Sequence, residues 1–296
     1  MTNEIIKKLS SEGCIILKDE SLSKHSSFKI GGSADFFINI PNEHALFAFL
    51  DENLDFFVLG GGTNLLFSDK GYKGIVIRLV DEFEKFSIIG NAVSCGSGAH
   101  MAAVIKAAVQ NNLSGFESCA GIPGTIGGAV FGNAGSKDCW ISDIVESVEV
   151  FKKNSNNTYE KQLLKQDEIL FDYRTSALEN CIITKINFTL KNELEKDILK
   201  EISESIEKRK NSQPLNLPNA GCIFKNPVGF SAGKLIEDAG LKGKKKGDAE
   251  ISQIHANFIV NNGNATASNV LDLIYIARKT VKDKFNIDLE LEIKIV

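Results

Sequence analysis

Two glycine-rich stretches hold the residue types best suited to gripping a phosphorylated ligand. In Val58-Leu59-Gly60-Gly61-Gly62-Thr63-Asn64-Leu65-Leu66, three glycines follow an apolar run, Phe56 to Leu59, that reads as a short, fully buried strand. Glycine accepts positive φ and has no Cβ, so successive backbone N–H groups can turn inward on a ligand. Such a concave nest suits a phosphate or pyrophosphate. The same residues also fit a plain glycine-rich turn between two strands. The spacing is not G-x-G-x-x-G, because Leu65 stands third, Asp69-Lys70-Gly71 breaks any helix, and Lys73 to Leu79 reads as a strand. Strand–loop–strand lacks the helix of a Rossmann phosphate site, so a ligand here needs a second wall.

Gly115 to Gly135 is the candidate for that wall. Seven of its 21 residues are glycine, yet Ile, Pro, Val and Phe are interleaved and charge is nearly absent, unlike a polar flexible linker. The pattern points to ordered, buried backbone passing close to something flat and large, or else to a close-packed structural crossing. Other chemistry is sparser. Arg174 stands alone in the aromatic setting Phe171-Asp172-Tyr173-Arg174-Thr175-Ser176, where it fits a surface residue stacked on Tyr173. His100 opens a helix and suits a cap or a ligand contact. Lys242 to Lys246 reads as a solvated loop that could meet phosphate. The six cysteines (14, 95, 119, 139, 181 and 222) have no C-x-x-C pair and the four histidines are scattered, so neither a zinc site nor a disulfide frame is expected.

With 296 residues, 43% hydrophobic, 24% charged and a net charge of −4, the composition is that of an ordinary globular protein and points to neither nucleic acid nor membrane. The first residues lack the apolar run of a signal peptide, and with the cysteine pattern this suggests a reducing cytoplasm.

The elements that must position these residues follow in order. Residues 1 to about 20 read as a helix and connector, Phe36 to Ile40 as a strand, and Pro41 to Asn53 as a helix with Ala45, Leu46, Phe49 and Leu50 on one face. Two short strands over Phe86 to Cys95 precede a helix from His100 to Asn112, with Ala102, Val104, Ile105, Ala108 and Val109 available for packing. Val145 to Lys152 and Cys181 to Leu190 are strands. Leu194, Ile198, Ile202 and Ile206 give a narrow-striped helix that Gln213-Pro214 ends. Ser231 caps a short helix, Ala232 to Ala239, stopped by Gly240. His255 to Asn261 reads as a strand and Ser268 to Phe285 as a long helix. In the closing segment, alternation buries Leu289, Leu291, Ile293 and Ile295 and leaves Glu290 and Glu292 on the solvent face.

Six motifs occur in a fixed order: Gly60-Gly61-Gly62-Thr63-Asn64-Leu65-Leu66, Gly121 to Gly128, Tyr173-Arg174-Thr175-Ser176, Gly221-Cys222-Ile223-Phe224-Lys225-Asn226-Pro227, His255 to Asn261, and Leu289-Glu290-Leu291-Glu292. Together, from about Phe28 to the C-terminus, they resemble the UDP-N-acetylenolpyruvoylglucosamine reductase family of bacterial peptidoglycan synthesis, in its shorter class without an extra substrate-capping loop. The resemblance implies an α+β protein: an FAD-binding fold of the vanillyl-alcohol-oxidase type, made of two α/β subdomains, plus a C-terminal α+β substrate domain. On that basis the chain divides into a first FAD-binding subdomain (1–85), a second (86–192), a connecting helix and linker (193–218) and a substrate-binding domain (219–296).

The resemblance further implies noncovalent FAD, held by Gly60, Gly61, Gly62, Thr63, Asn64 and Leu65 and by Gly121, Ile122, Pro123, Gly124, Thr125, Gly127 and Gly128. NADPH is the expected co-substrate and UDP-N-acetylglucosamine enolpyruvate the expected substrate. Hydride from flavin N5 would add to the terminal carbon of the enolpyruvyl ether, charge would develop as an enolate, and a proton would reach the neighbouring carbon. By analogy Arg174 and Glu292 stabilise the enolate, which takes Glu292 out of its solvent-face reading; a fixed donor of this kind contributes about 3–4 kcal/mol. Cys222 is the expected proton donor, standing where the family often has serine, and with a reference pKa of about 8.5 a thiol is the stronger acid. A small buried cysteine is the alternative. Tyr173, Gln213, Lys225, Asn226 and His255 are the expected substrate contacts. Two other functions fit parts of the chain. Another flavin oxidase of the same fold leaves Cys222–Asn226 and Glu292 unexplained, and a flavin- or sugar-nucleotide-binding module without catalysis leaves Arg174, Cys222 and Glu292 without a purpose.

Overall fold

The computed structural model describes residues 1–136 and 139–296, which divide into two compact units. The first is built from Met1–Lys18, Phe36–Gly61 and Gly74–Glu207, and the second from Asp19–Asp35, Gly62–Lys73 and Lys208–Val296.

In the first unit, five antiparallel strands lie in the order Tyr159–Lys165, Val145–Lys153, Cys181–Thr189, Ala92–Gly96, Phe86–Ile89. Alternation turns Val148, Val150, Ile186 and Phe188 into the core, where they meet the helices Met101–Gln110 and Ile126–Phe131. Val104, Ile105, Ala108 and Val109 are buried as the pattern requires, but Ala102 is exposed. The strand Tyr159–Lys165 and the helix Ile126–Phe131 are additions to the sequence reading. A four-stranded sheet has the order Ile15–Ser21, Ser33–Ile40, Tyr72–Leu79, Phe56–Val58, the last pair parallel. The helix Glu43–Leu50 covers part of it with Ala45, Leu46, Phe49 and Leu50, all buried, and Asn42 caps it by accepting from the Ala45 N–H.

Several sequence expectations need correction. The first 20 residues form a helix, Asn3–Ser11, and then a strand, Ile15–Ser21, rather than a connector. The strand before the first glycine loop is not fully buried, since Phe56 and Phe57 are half-buried and Val58 exposed. The charged helix Glu195–Ser212 buries only Ile198, with Ile202 partly covered and Leu194 and Ile206 exposed, because four-residue spacing drifts around a helix of 3.6 residues per turn.

The second unit is organised on the 19-residue helix Ala267–Phe285. Thr266 caps it, and the Asp69 carboxylate accepts from the Ala267 and Ser268 N–H groups at 2.7 and 2.9 Å, placing negative charge at the helix N-terminus. Val270, Leu273, Ile274, Ala277 and Val281 share a core with the helix Ala232–Asp238 and the three-stranded sheet Lys245–Lys246, Ala249–Ile251, Ile259–Asn261. The strand expected over His255 to Asn261 is therefore confined to Ile259–Asn261, and His255 to Asn257 form a turn. Near the C-terminus Leu289 and Ile293 are buried, Leu291 is half-buried, and Ile295 is exposed, so the alternation fails at its end. There the chain bends, and Lys294–Ile295 pairs in parallel with Leu65–Leu66.

Asn261, buried to 2% exposure, fastens two distant parts of this unit. Its Nδ2 donates to the Phe28 carbonyl at 3.0 Å, and its Oδ1 accepts from Gly263 and Ala265 at 2.9 and 3.0 Å. Asn261→Ala leaves the buried Phe28 carbonyl and Ala265 N–H and the exposed Gly263 N–H without these partners and is expected to lower stability by about 2 kcal/mol or more in urea unfolding. The exposed neighbour substitution Asn262→Ala is expected to change it by less than about 0.5 kcal/mol. Equal effects would show that Asn261 is not a fastening point.

Candidate active site

The strand Phe56–Val58 delivers Leu59, whose N–H donates to the Ile77 carbonyl at 2.8 Å, and the glycines begin immediately after. Within the first unit the two glycine stretches lie backbone to backbone. A Cβ on Gly61 would stand 2.7 Å from the Gly124 Cα, and one on Gly60 would stand 2.9 Å from the Thr125 Oγ1. The second stretch is pinned in turn. The Gly124 carbonyl accepts from Met101, the Gly127 N–H donates to the Ser97 carbonyl at 2.8 Å, and Thr125 caps the helix Ile126–Phe131 by accepting from Gly128. A Cβ on Gly127 would sit 2.7 Å from the Ser97 Cβ. Gly121 and Gly124 adopt φ of 78° and 128°, which favour glycine. Ile122 is half-buried, Pro123 is exposed, and the Ile122 N–H closes a turn on the Cys119 carbonyl.

Gly62, Thr63, Asn64 and Leu65 belong to the second unit. Gly62 has φ of 64°, and a Cβ there would run into the His25 carbonyl oxygen; its own carbonyl accepts from the Ser27 N–H at 3.0 Å. The Ser27 hydroxyl also donates to the Asn219 carbonyl at 2.6 Å, tying this loop to the start of the Cys222 motif. Asn64 donates from Nδ2 to the Glu292 carbonyl at 3.1 Å, and its own carbonyl accepts from Lys294 at 3.0 Å. The Leu65–Leu66 ladder is thereby extended as far as Glu292.

Cys222 and Glu292 come together through backbone pairing. Cys222 forms an isolated antiparallel bridge with Phe258, and Phe224 forms one with Leu291. The Glu292 N–H donates to the Ile223 carbonyl at 2.9 Å, and the Lys225 N–H to the Glu290 carbonyl at 2.8 Å. Both Cys222 and Glu292 are half-buried. Of the other cysteines, Cys14 and Cys95 are buried, and burial pushes their thiols up to about 11 and about 12.

Arg174 and Tyr173, in the first unit, form the two-residue connection of the hairpin Phe171–Asp172/Thr175–Ser176. Arg174 has φ of 59°, a strained backbone for a non-glycine residue of the kind that collects at functional sites. Its Nη1 donates to the Gly135 carbonyl at 3.1 Å. Its guanidinium lies 5.3 Å from the Trp140 ring centre and 5.6 Å from that of Tyr173, and the two rings meet edge to face at 5.7 Å. Sequence reasoning missed Trp140; being the single tryptophan, close to a glycine-rich run, was its only signal.

The expected substrate contacts take varied places. Lys225 Nζ pairs with the Glu290 carboxylate at 2.6 Å. Asn226 Oδ1 accepts from the Ala232 N–H at 2.9 Å, holding the first turn of the helix Ala232–Asp238. His255 lines a shallow pocket of about 230 Å³ with Ser231, Gly233 and Lys234. Burial, aided by Lys242, lowers its pKa, and its Nδ1 accepts from the Asn257 N–H at 3.2 Å. Gln213 is half-buried at the end of the helix Glu195–Ser212, its N–H bonded to the Arg209 carbonyl.

Matches to known proteins bear on this arrangement. The family model of the UDP-N-acetylenolpyruvoylglucosamine reductase C-terminal domain matches residues 213–296, and that of an FAD binding domain matches residues 44–156. The UDP-N-acetylenolpyruvoylglucosamine reductase of Caldanaerobacter subterraneus is 41% identical over 298 residues, 98% of this chain and 96% of that protein. This chain belongs to the UDP-N-acetylenolpyruvoylglucosamine reductase family. The relative from Alkaliphilus oremlandii is 38% identical over 95% of this chain and 93% of its own. The crystal structure of the reductase from Thermus caldophilus superposes with a TM-score of 0.83 at 36% identity, covering 95% of this chain and 98% of that one. A Physcomitrella patens BBE-like 1 protein, 13% identical with a TM-score of 0.58 over 94% of this chain and 88% of its own, shares the fold. The fold is the FAD-binding fold of the vanillyl-alcohol-oxidase type followed by a C-terminal α+β domain, and the family member is an FAD-dependent oxidoreductase.

The residues present fit FAD. Stretches 60–66 and 121–128 contain no carboxylate to repel a diphosphate. Gly60 and Gly61 are half-buried while Gly121 and Gly128 are exposed, which leaves Cβ-free backbone open to a ligand. Gly61→Ala is expected to weaken FAD binding at least tenfold, read by flavin fluorescence titration, because the Gly124 backbone cannot retreat as a side chain could. Gly90→Ala, at a glycine with positive φ but nothing within 4 Å of its would-be Cβ, is the control and is expected to leave the affinity unchanged. Equal affinities in the two variants would remove the contact from the cofactor site.

Proposed function

We propose that this protein reduces UDP-N-acetylglucosamine enolpyruvate to UDP-N-acetylmuramate with NADPH, in peptidoglycan precursor synthesis in the cytoplasm. The observation that supports the reading is the backbone pairing of the Cys222 and Glu292 segments within one unit, Phe224 with Leu291 and the Glu292 N–H with the Ile223 carbonyl. Among the described residues no helix is long and apolar enough to cross a membrane.

FAD, when bound, supplies the redox chemistry by passing a hydride from NADPH to the terminal carbon of the enolpyruvyl group. Gly60 to Leu65 and Gly121 to Gly128 would hold it, offering backbone amides as donors to its phosphates. The protein's own residues then act on the substrate. Arg174 binds the enolpyruvyl carboxylate, where negative charge builds as an enolate. The Gly135 carbonyl and the Trp140 and Tyr173 rings fix its guanidinium in advance, so little reorganisation accompanies the charge. Glu292 shares a hydrogen-bonded proton with the same group. Cys222 gives its Sγ proton to the carbon next to the carboxylate, forming the new C–H bond, and the resulting thiolate is reprotonated from solvent. Lys225, Asn226, His255, Tyr173 and Gln213 orient the sugar nucleotide.

The test separates the two half-reactions. Arg174→Ala is expected to bind flavin and be reduced by NADPH, while reoxidation by the enolpyruvyl substrate slows about a hundredfold or more. Cys222→Ala follows the same pattern, with turnover falling about 10²- to 10⁴-fold, and Cys222→Ser retains substantial turnover. Loss of NADPH reduction in Arg174→Ala with intact reoxidation would refute its role. Full turnover by Cys222→Ala would assign the proton to another group.

A further inference from the structure

We infer that Asn257 is a positioning residue for Cys222, its side-chain amide and its backbone carbonyl bracketing the two residues that follow Cys222. Four backbone groups follow Cys222, and each has a partner. The Ile223 N–H donates to the Asn257 carbonyl at 2.8 Å, and the Ile223 carbonyl accepts from the Glu292 N–H at 2.9 Å. The Phe224 N–H donates to Asn257 Oδ1 at 3.0 Å, and the Phe224 carbonyl accepts from Asn257 Nδ2 at 2.7 Å. Asn257 thus satisfies three of the four and Glu292 the fourth. The amide is 2% exposed, so water does not compete for these bonds.

The clamp adds to short pairings, a single bridge on each side of the segment. Cys222 meets Phe258 in a single isolated bridge, and the chain enters from Gly221 at φ of 78° with nothing within 4 Å of a would-be Cβ. The entry to Cys222 is held by a hydrogen bond, the Gly221 N–H donating to Asn219 Oδ1 at 2.9 Å. Asn257 is itself fixed, since its N–H donates to His255 Nδ1 at 3.2 Å. The lowered pKa of His255 keeps that nitrogen an acceptor at neutral pH. At neutral pH an amide offers an acceptor and a donor side by side in this geometry without charge, which an ionised carboxylate does not.

The inference rests on Cys222 as proton donor, and Asn257→Asp tests it. In that variant the ionised carboxylate accepts from the Phe224 N–H but opposes the Phe224 carbonyl with a second acceptor, whereas the protonated acid restores both bonds. Burial raises the pKa of such a carboxyl. His255, which faces this position, and Lys242 and Glu237, which act on His255, are common to both proteins, so the ratio of variant to wild-type rate isolates the new carboxyl. The ratio of reoxidation rates by the enolpyruvyl substrate is expected to be at least tenfold below unity near pH 8 and to recover towards unity as pH falls to about 5. A ratio independent of pH overturns the inference. If Asn257→Asp does not accumulate with flavin, Asn257→Ser carries the test at fixed pH. It is expected to lose at least tenfold in reoxidation while NADPH reduction is retained, and equal losses in both half-reactions overturn the inference. Alkylation of Cys222 by iodoacetamide, mapped by mass, separates the two ideas. A variant-to-wild-type ratio of alkylation rates that changes between about pH 5 and pH 8 supports the clamp even where Cys222→Ala turns over fully, an outcome that refutes only the proton-donor reading; the ratio cancels the thiolate titration common to both proteins. Identical alkylation in both proteins at every pH overturns the clamp.

Discussion

The cofactor side of this structure depends on backbone meeting backbone. Gly61 and Gly124 approach so closely that a Cβ on the first would lie 2.7 Å from the Cα of the second, and Gly127 stands equally close to Ser97. Such contacts expose a row of peptide groups without side chains between them, which suits a diphosphate bound without a helix dipole directly behind the first loop. They also explain the unusual composition of both stretches. Where two chains touch at this distance only glycine fits, and the interleaved Ile126, Ala129 and Val130 bury the other side in the core.

The chemistry side depends on polar side chains that stand in for missing backbone partners. Asn64 reaches the Glu292 carbonyl, Asn257 brackets Phe224, and Asn261 joins Phe28 to the loop after the strand Ile259–Asn261. Asparagine recurs because it offers a neutral donor and acceptor side by side, as a peptide group does. The second unit is assembled from three stretches of sequence, and several ladders between its short segments end after one or two rungs. An amide extends such a ladder by one rung without adding a strand. Cys222 and Glu292 thereby gain a defined relation that two isolated bridges alone would hold loosely.

Much of this was legible from residue pattern. The helices Glu43–Leu50 and Ala267–Phe285 followed from their apolar patterns, Ala232–Asp238 from its Ser231 cap, and the strand–loop–strand at Gly60 from the break at Asp69-Lys70-Gly71. The second glycine stretch was read as ordered, close-packed backbone, although its short helix was not, because Ile-Gly-Gly-Ala-Val-Phe carries no helical propensity signal. The terminal alternation placed Glu292 on a solvent face. The chain bends before Lys294 to pair in parallel with Leu65–Leu66, and a distant parallel pairing leaves no trace in local periodicity. Asn257 and Trp140 were unreadable for the same reason. One serves a strand 33 residues away in sequence, and the other an arginine in a separate hairpin.

The central claim is that electrons from NADPH pass to an enolpyruvyl ether through flavin bound by this protein. The most direct measurement mixes FAD-loaded protein anaerobically with one equivalent of NADPH, and then with UDP-N-acetylglucosamine enolpyruvate, while flavin absorbance is followed. The account predicts bleaching by NADPH and full return of the yellow colour on adding the sugar nucleotide, with one lactyl ether formed per flavin. Flavin that stays reduced with the sugar nucleotide, yet is reoxidised when air is admitted, would contradict the account and indicate an oxidase on the same fold.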